Sequence, residues 1–318
     1  MPLISSIMFV TRIKIGRIVT TLQATSTLKR REAITAYTFL LPTMVGFLIF
    51  VLGPMLAAIG LSFFDWNLLS PPKFVGLENY ATLISDRRLG IIYLATSKIA
   101  VVVIVVNILL GLAIAVLLDR KMPAFLRQFF RLSYFFPIVI SASAVALIWS
   151  FLMNKDLGLI NFYLGKLGID KIPWLNSSAW SPISIAITTI WHDLGFNVLV
   201  FLGGLQSIPH DYYEAAEVDG ANSWTRFTRI TLPLLSPTTF FLTVINLVNA
   251  LQIFAQSYVL TRGGPGDSSR TVVMYLYEQG FHFFSMGYAS TVALSLFVVI
   301  AILTFIQFRL SRRWVFYE

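Results

Sequence analysis

The stretch Glu214-Ala215-Ala216-Glu217-Val218-Asp219-Gly220, continued by Ile230-Thr231-Leu232-Pro233, is a polar island in an apolar chain. Apolar residues make up 57% of the 318 and charged residues 12%, about half the charge of a soluble globular domain. The charges are also gathered. Residues 33–64, 132–154, 230–261 and 279–308 carry none, and residues 89–118 carry only Lys98. Each run reaches the roughly 20 residues that a helix needs to cross a bilayer. The competing reading, a large soluble helical core, fails because five such runs leave almost nothing to form a wet surface. The island therefore needs a reason to stand where it does.

The runs predict helices near 37–60, 91–117, 133–153, 180–205, 235–260 and 288–308, an all-α polytopic membrane protein with six transmembrane helices. The fourth is interrupted by His192 and Asp193. An ionisable residue at membrane depth is costly unless paired or hydrated, so Asp193 either faces the bundle interior or marks a side away from lipid. It can be a packing or capping residue or part of a pathway.

Basic residues set the orientation. Arg12, Lys14, Arg17, Lys29, Arg30, Arg31, Arg120, Lys121, Arg127, Arg131, Arg226, Arg229, Arg309, Arg312 and Arg313 fall on one side of the six-span scheme, fifteen in all. The other side holds eight: Lys73, Arg87, Arg88, Lys155, Lys166, Lys171, Arg262 and Arg270. Lys and Arg concentrate on the cytoplasmic face, so both termini are expected there, in the bacterial inner membrane. The net charge of +9 then reads as orientation and attraction to anionic lipid, and no nucleic-acid partner is expected. Residues 1–34 form a cytoplasmic tail, residues 35–312 the six-span domain with its polar loop at 207–233, and residues 313–318 a cytoplasmic end. Within the tail, Met1–Val10 is apolar but followed by basic residues, the wrong order for a secretory signal. Residues 7–27 alternate loosely, which fits an amphipathic surface helix or an unstructured tail.

No chemistry of bond making is visible. There is no cysteine, and the three histidines, His192, His210 and His282, are scattered without metal-ligand spacing. Of the connections on the other side, residues 65–88 carry Pro71, Pro72 and Gly76 and read as a loop with little helix. Residues 155–178 contain a short apolar piece, 157–167, that suits a small helix resting at the surface. Residues 261–266 read Thr-Arg-Gly-Gly-Pro-Gly, a helix stop.

The island resolves into a helix-turn-helix. Pro209 suits a helix entry and Asp211 its first turn. Residues 214–219 make a short acidic helix, Gly220 ends or bends it, and Asn222 and Ser223 can start another. Trp224, Phe227 and Ile230 recur at three, a face for a membrane surface. Pro233 is expected at the entry of the fifth span, where its missing N–H costs nothing. Small residues at 215, 216 and 220 permit close approach by another protein. The segment is either a surface connector or a docking element for a cytoplasmic partner.

The spacing Glu214-Ala215-Ala216, Gly220, Ile230, Leu232, Pro233 resembles the coupling-loop signature of bacterial ATP-binding cassette importer permeases. Residues 134–137, 146–149, 174–175, 260–265 and 277–281 make the chain similar to the carbohydrate-uptake branch, in particular to the first permease subunit of maltose, sn-glycerol-3-phosphate and oligosaccharide systems. The resemblance covers roughly residues 35–312. Compared with the maltose-type subunit, the chain lacks extra N-terminal spans and a large outer domain. It implies a type I importer permease fold and a heterodimeric pore with a second, homologous permease. It implies a dimeric cytoplasmic ATPase that receives Glu214–Gly220, and an extracytoplasmic solute-binding protein. ATP and Mg belong to the ATPase; this chain has no phosphate-binding loop signature and is expected to bind no cofactor and to be no enzyme.

The fifth span offers Asn246, Asn249, Gln252, Gln256 and Tyr258. In a continuous helix Asn249, Gln252 and Gln256 share one face, and Asn246 extends it by a turn. Amides and an aromatic ring suit sugar hydroxyls and ring faces, and interhelical hydrogen bonding is the other use of such residues. Trp191, His192 and Asn197 add to the possible solute path from the fourth span, and Asn107 of the second span is a weaker candidate, read chiefly as structural. Lys98 is the one basic residue in these spans, which favours a neutral sugar; glycerol phosphate or a peptide stays open, as does an ion-coupled secondary transporter. The last would leave the 214–233 signature unexplained.

Overall fold

In the computed structural model, residues 32–119 and 123–316 are described. The tail expectations for residues 1–31, the basic pair Arg120 and Lys121, and residues 317–318 lie outside them. Among the described residues, four helices are long and apolar enough to cross a membrane, and up to six if each of two bent pairs counts as one span.

The first, α1 (Glu32–Leu61), belongs almost wholly to one compact unit, Met1–Gly60; the rest of the chain forms the second, Leu61–Glu318. None of the most apolar stretch of α1 is buried within the chain. Pro54 lacks the N–H that would bond the carbonyl one turn back. A π turn at Leu48–Leu52 accommodates it, and the N–H of Gly53 reaches back to the carbonyl of Leu48.

The second unit opens with a two-stranded antiparallel ribbon, β1 (Phe64–Asp65) with β2 (Lys73–Phe74), and a short helix α2 (Glu78–Ser85). The segment read from sequence as a loop with little helix holds this one short helix. Next comes α3 (Arg87–Leu118), capped by Asp86, whose carboxylate accepts from the backbone N–H groups of Arg88 and Leu89. The expected third span is two helices, α4 (Ala124–Val139) and α5 (Ala142–Leu152), bent by 103°. The correction has a local cause. Pro137 removes a helical N–H near the end of α4, and the Ser141 hydroxyl caps α5 by accepting from Ala144 N–H.

A small helix α6 (Leu159–Lys166) leads to α7 (Trp180–Ser207), which runs unbroken through His192 and Asp193. Then come α8 (His210–Val218), α9 (Ser223–Leu234) and α10 (Ser236–Leu251), with α9 and α10 meeting at 60°. Pro237 has no N–H to offer the carbonyl of Pro233, and the Ser236 hydroxyl takes that carbonyl instead, at 2.6 Å. The expected helix over 235–260 therefore starts one residue into this bend and stops at Leu251. Residues 252–254 are unwound before a π turn at Ser257–Thr261. No Gly or Pro marks that stop. Ile253 is instead drawn into the core beside Leu251 and Leu260, a tertiary preference that outweighs helix continuation. Finally α11 (Val272–Tyr277) and a π turn (Glu278–His282) precede α12 (Met286–Ser311).

Two apolar clusters show how the second unit is threaded. One joins Ile92 and Ile99 of α3, Ala146 of α5, Ile185 of α7, Leu251 of α10, Val272 of α11 and Val292 of α12. The other joins Ala115 of α3, Val198 and Phe201 of α7, and Leu242 of α10. At that end Phe308 of α12 also meets Phe240 of α10, 5.0 Å between ring centroids. Thus α3, α7 and α12 run one way and α10 returns. Connections 62–86, 153–179 and 252–285 gather at the Asp86 end. Residues 208–235 gather at the other, which we call the hairpin end. Where α7 crosses α4, a Cβ on Gly195 would sit 1.8 Å from the carbonyl oxygen of Tyr134, so only glycine allows the two backbones to touch.

Candidate functional site

At the hairpin end, α8 is built to stop sharply. Ala221 N–H bonds the carbonyl of Ala216 and Gly220 N–H that of Glu217, the paired reverse bonds of a Schellman ending. This needs a left-handed residue, and Gly220 stands at φ +77°. Asn222 then caps α9 by accepting from Thr225 N–H at 2.8 Å. Asp211 lies in the first turn of α8 without capping it; Pro209 holds that position and no side chain bonds there. Pro233 is not at a helix entry. It lies inside α9, just after a π turn (Phe227–Thr231) in which Leu232 N–H reaches the carbonyl of Phe227, and this widened turn absorbs the missing proline N–H.

The hairpin hangs on few side chains. Tyr213 turns inward, its hydroxyl 3.0 Å from that of Thr231, and packs beside Leu235 and Phe201. Arg226 bonds Glu217 at 3.1 Å across the turn. A cavity of about 850 Å³ opens between α8, α9 and the end of α3, lined by Asp119, Tyr213, Trp224, Arg226, Phe227 and Thr231 among others. Outward, α8 shows Asp211, Tyr212, Glu214, Ala215, Glu217 and Val218, and Trp224 projects from α9. Ala216, Ile230 and Pro233 are half-buried, while Gly220 and Leu232 are exposed. The exposed face is small-residue and acidic, with no Lys or Arg on α8.

Midway along the helices three amides meet. Asn246 of α10 donates to the Asn197 oxygen at 2.7 Å and to the carbonyl of Leu242 at 2.8 Å. Asn107 of α3 donates to the Asn246 oxygen at 3.4 Å. All three are buried. In this conformation Asn246 and Asn197 bond each other and hold three helices together; they do not offer their amides to a cavity. Gln256 is buried as well, whereas Asn249, Gln252 and Trp191 are exposed and Tyr258 is half-buried. The break at 252–254 interrupts the helical face that would have aligned Asn249, Gln252 and Gln256. Asp193 is paired: its carboxylate lies 2.6 Å from His192 Nδ1, and His192 Nε2 donates to the carbonyl of Ile140 at 3.1 Å. The dyad thereby ties α7 to the bend between α4 and α5. Tyr258 joins a half-exposed aromatic group the sequence did not single out. It stacks on Phe254 at 5.3 Å, and both meet Tyr277, which meets Phe281.

The Asp86 end carries a polar network that sequence reading also missed. Besides capping α3, Asp86 accepts from the hydroxyls of Tyr275 and Tyr288, both at 2.6 Å. Burial works to raise this carboxyl, but the two hydroxyls and two backbone N–H groups outweigh it and hold Asp86 below the ordinary range. Burial and the neighbouring carboxylate push Tyr275 up to about 12. Arg88 grips Asp267 with two bonds, 2.7 and 3.1 Å, and with Arg270 keeps that carboxyl low. Arg270 also bonds Glu278. Among the described residues no group of three or more His, Asp or Glu could hold a metal ion.

This geometry belongs to a characterised group of proteins. Residues 107–316 match the family model described as binding-protein-dependent transport system inner membrane component. The chain is 35% identical to the probable ABC transporter permease protein YesP of Bacillus subtilis (strain 168), over 91% of this chain and 94% of that one. It is 31% identical to the probable starch degradation products transport system permease protein AmyD of Thermoanaerobacterium thermosulfurigenes, over 89% and 96%. In structure it is similar to a bacterial ABC transporter involved in the import of the acidic polysaccharide alginate, with a TM-score of 0.78 and 26% identity over 89% of this chain and 96% of that one.

Proposed function

The chain belongs to the binding-protein-dependent inner membrane components, the permeases of ATP-binding cassette importers, and from that premise we propose that it forms half of a sugar-conducting pore driven through its α8–α9 hairpin. It is a transport subunit, and hydrolysis is the work of a partner ATPase. The observation that carries the proposal is the hairpin itself. A short acidic helix, stopped by a Schellman turn at Gly220, projects from the bundle with only Tyr213 and Ala216 turned inward. Such a helix can enter a cleft on the ATPase, with Glu214 as a polar contact and Ala215 allowing close approach. Because α9 leads through Leu232 and Pro233 across the 60° bend into α10, a pull on α8 is passed to a helix that carries Asn246 and ends at the unwound residues 252–254.

In this reading six spans cross the inner membrane, counting α4–α5 and α9–α10 as one each, with both termini and the hairpin in the cytoplasm. A second, homologous permease completes the pore, two ATPase subunits dock below, and a solute-binding protein delivers cargo at the Asp86 end. The solute path uses the exposed groups Asn249 and Gln252, Trp191 where it packs edge-on against Trp149, and the aromatic group around Tyr258. Ring faces and amides fit a carbohydrate, in keeping with the starch products and alginate named for the relatives. Asn246, Asn197 and Gln256 can join only if the helices part during the cycle.

The test is uptake into reconstituted vesicles. With the partner permease, binding protein and ATPase present, ATP should drive accumulation of a sugar drawn from a glycan panel by the binding protein. Uptake by this chain alone down an ion gradient would refute the proposal.

A further inference from the structure

Residues 153–179, which join α5 to α7, fold around one buried amide. The Asn161 side chain donates to the carbonyls of Lys155 and Ile172, both at 2.9 Å. Its oxygen accepts from the backbone N–H of Ile172 and the indole of Trp174, both at 3.1 Å. With its polar residue inside and fully bonded, α6 is held with its apolar face outward. Leu159, Phe162 and Tyr163, at helical spacings of three and four, are more than half exposed, and Leu157 (90%) and Leu167 (76%) extend the face at both ends. A soluble subdomain would have the reverse arrangement, and a contiguous apolar face of this kind marks a contact surface.

Position identifies what covers it. The segment is tethered to Leu152, the last residue of α5, and to Trp180, the first of α7, so it cannot leave the membrane boundary where those helices end. It packs on α5, whose own last turn exposes Phe151. The apolar surface of the bundle therefore continues onto α6. The Lys166 ammonium lies 4.6 Å from the Phe162 ring centre and 5.5 Å from that of Tyr163, placing charge at the rim of the apolar face. Trp174 and Trp180 pair edge to face at 4.9 Å beneath it. Aromatic rings with a basic rim make up the membrane–water interface.

We propose that α6 lies in the plane of that interface as a lipid anchor, with Leu157, Phe162, Tyr163 and Leu167 among the acyl chains and Lys166 at the level of the headgroup phosphates. The anchor fixes the connection between the third and fourth spans against the bilayer, whatever solute passes.

The chain has no cysteine, so a single label reports cleanly. Phe162→Cys, carrying an environment-sensitive fluorophore, is placed in the full chain, assembled with its partner permease and ATPase, in vesicles of phosphatidylethanolamine and phosphatidylglycerol. Its emission should shift to the blue and be mostly lost when the lipids carry a nitroxide near the headgroup. A label at Asp156→Cys, an exposed neighbour, should remain water-like and be quenched by iodide. Leu167→Cys gives the same reading should the Phe162 variant fold poorly. A Phe162 label that iodide quenches, or one shielded from both quenchers by a second protein, would overturn the proposal.

Discussion

The two ends of the bundle are held together by opposite means. At the Asp86 end, beside local pairs such as Arg270 with Glu278, some bonds reach far along the sequence: Arg88 to Asp267 spans 179 residues and Asp86 to Tyr288 spans 202. Within the hairpin they are short: Arg226 to Glu217 spans nine and Tyr213 to Thr231 eighteen. The first kind staples separate helices to one another. The second kind ties a small unit to itself. The proposed coupling through α8 requires an element with two arrangements, and the hairpin is where that proposal puts it.

The largest break in that contrast should come from Gly220→Val. Space is free there, with no atom within 4 Å of a built Cβ, so the cost is conformational, about 1–2 kcal/mol for a left-handed residue, concentrated at the turn that aims α8. ATP-driven uptake should fall about tenfold or more, while thermal unfolding in detergent moves little. Next in size is Arg270→Ala at the other end. It leaves Asp267 and Glu278, both mostly shielded, short of a partner, and should lower stability by about 3 kcal/mol in a denaturation series.

Acid should find the same weakness. Asp86 and Asp267 are held below their ordinary value of 3.8, so their contribution is complete above that value and is lost as pH falls through the depressed folded values. An unfolding midpoint measured against pH should therefore drop below about pH 4, and less steeply in Tyr275→Phe, which removes one donor to Asp86. Smallest is Arg226→Ala. Its pair with Glu217 is largely exposed, and the unfolding midpoint should register a change within about 1 kcal/mol.

Much of the bundle was legible because a bilayer demands long charge-free runs, and those runs stand out whatever the tertiary contacts. The hairpin was legible because Gly220 and Asn222 act locally, on the turn in which they lie. The bends were less so. Pro137 and Pro237 were in plain sight, yet an apolar run looks the same whether its helix is straight or folded back by 103°. The stop at Leu251 has no local signal at all, and assuming a continuous helix there put Asn249, Gln252 and Gln256 on one face that does not exist. Asn246 and Asn197, read as part of a solute path, are each other's partners, a pairing across 49 residues that spacing alone cannot reveal. The Asp86 network was hidden for the same reason.

If α8 is where an ATPase takes hold, as proposed, the two must lie within reach of a short cross-linker. Val218 is 88% exposed on α8, and the chain has no other cysteine to confuse the result. With Val218→Cys in the assembled transporter, a short bifunctional reagent should cross-link this chain to the ATPase subunit and arrest solute-stimulated ATP hydrolysis. A Val218 label that stays free and reactive while the assembled complex hydrolyses ATP and transports would contradict the proposal.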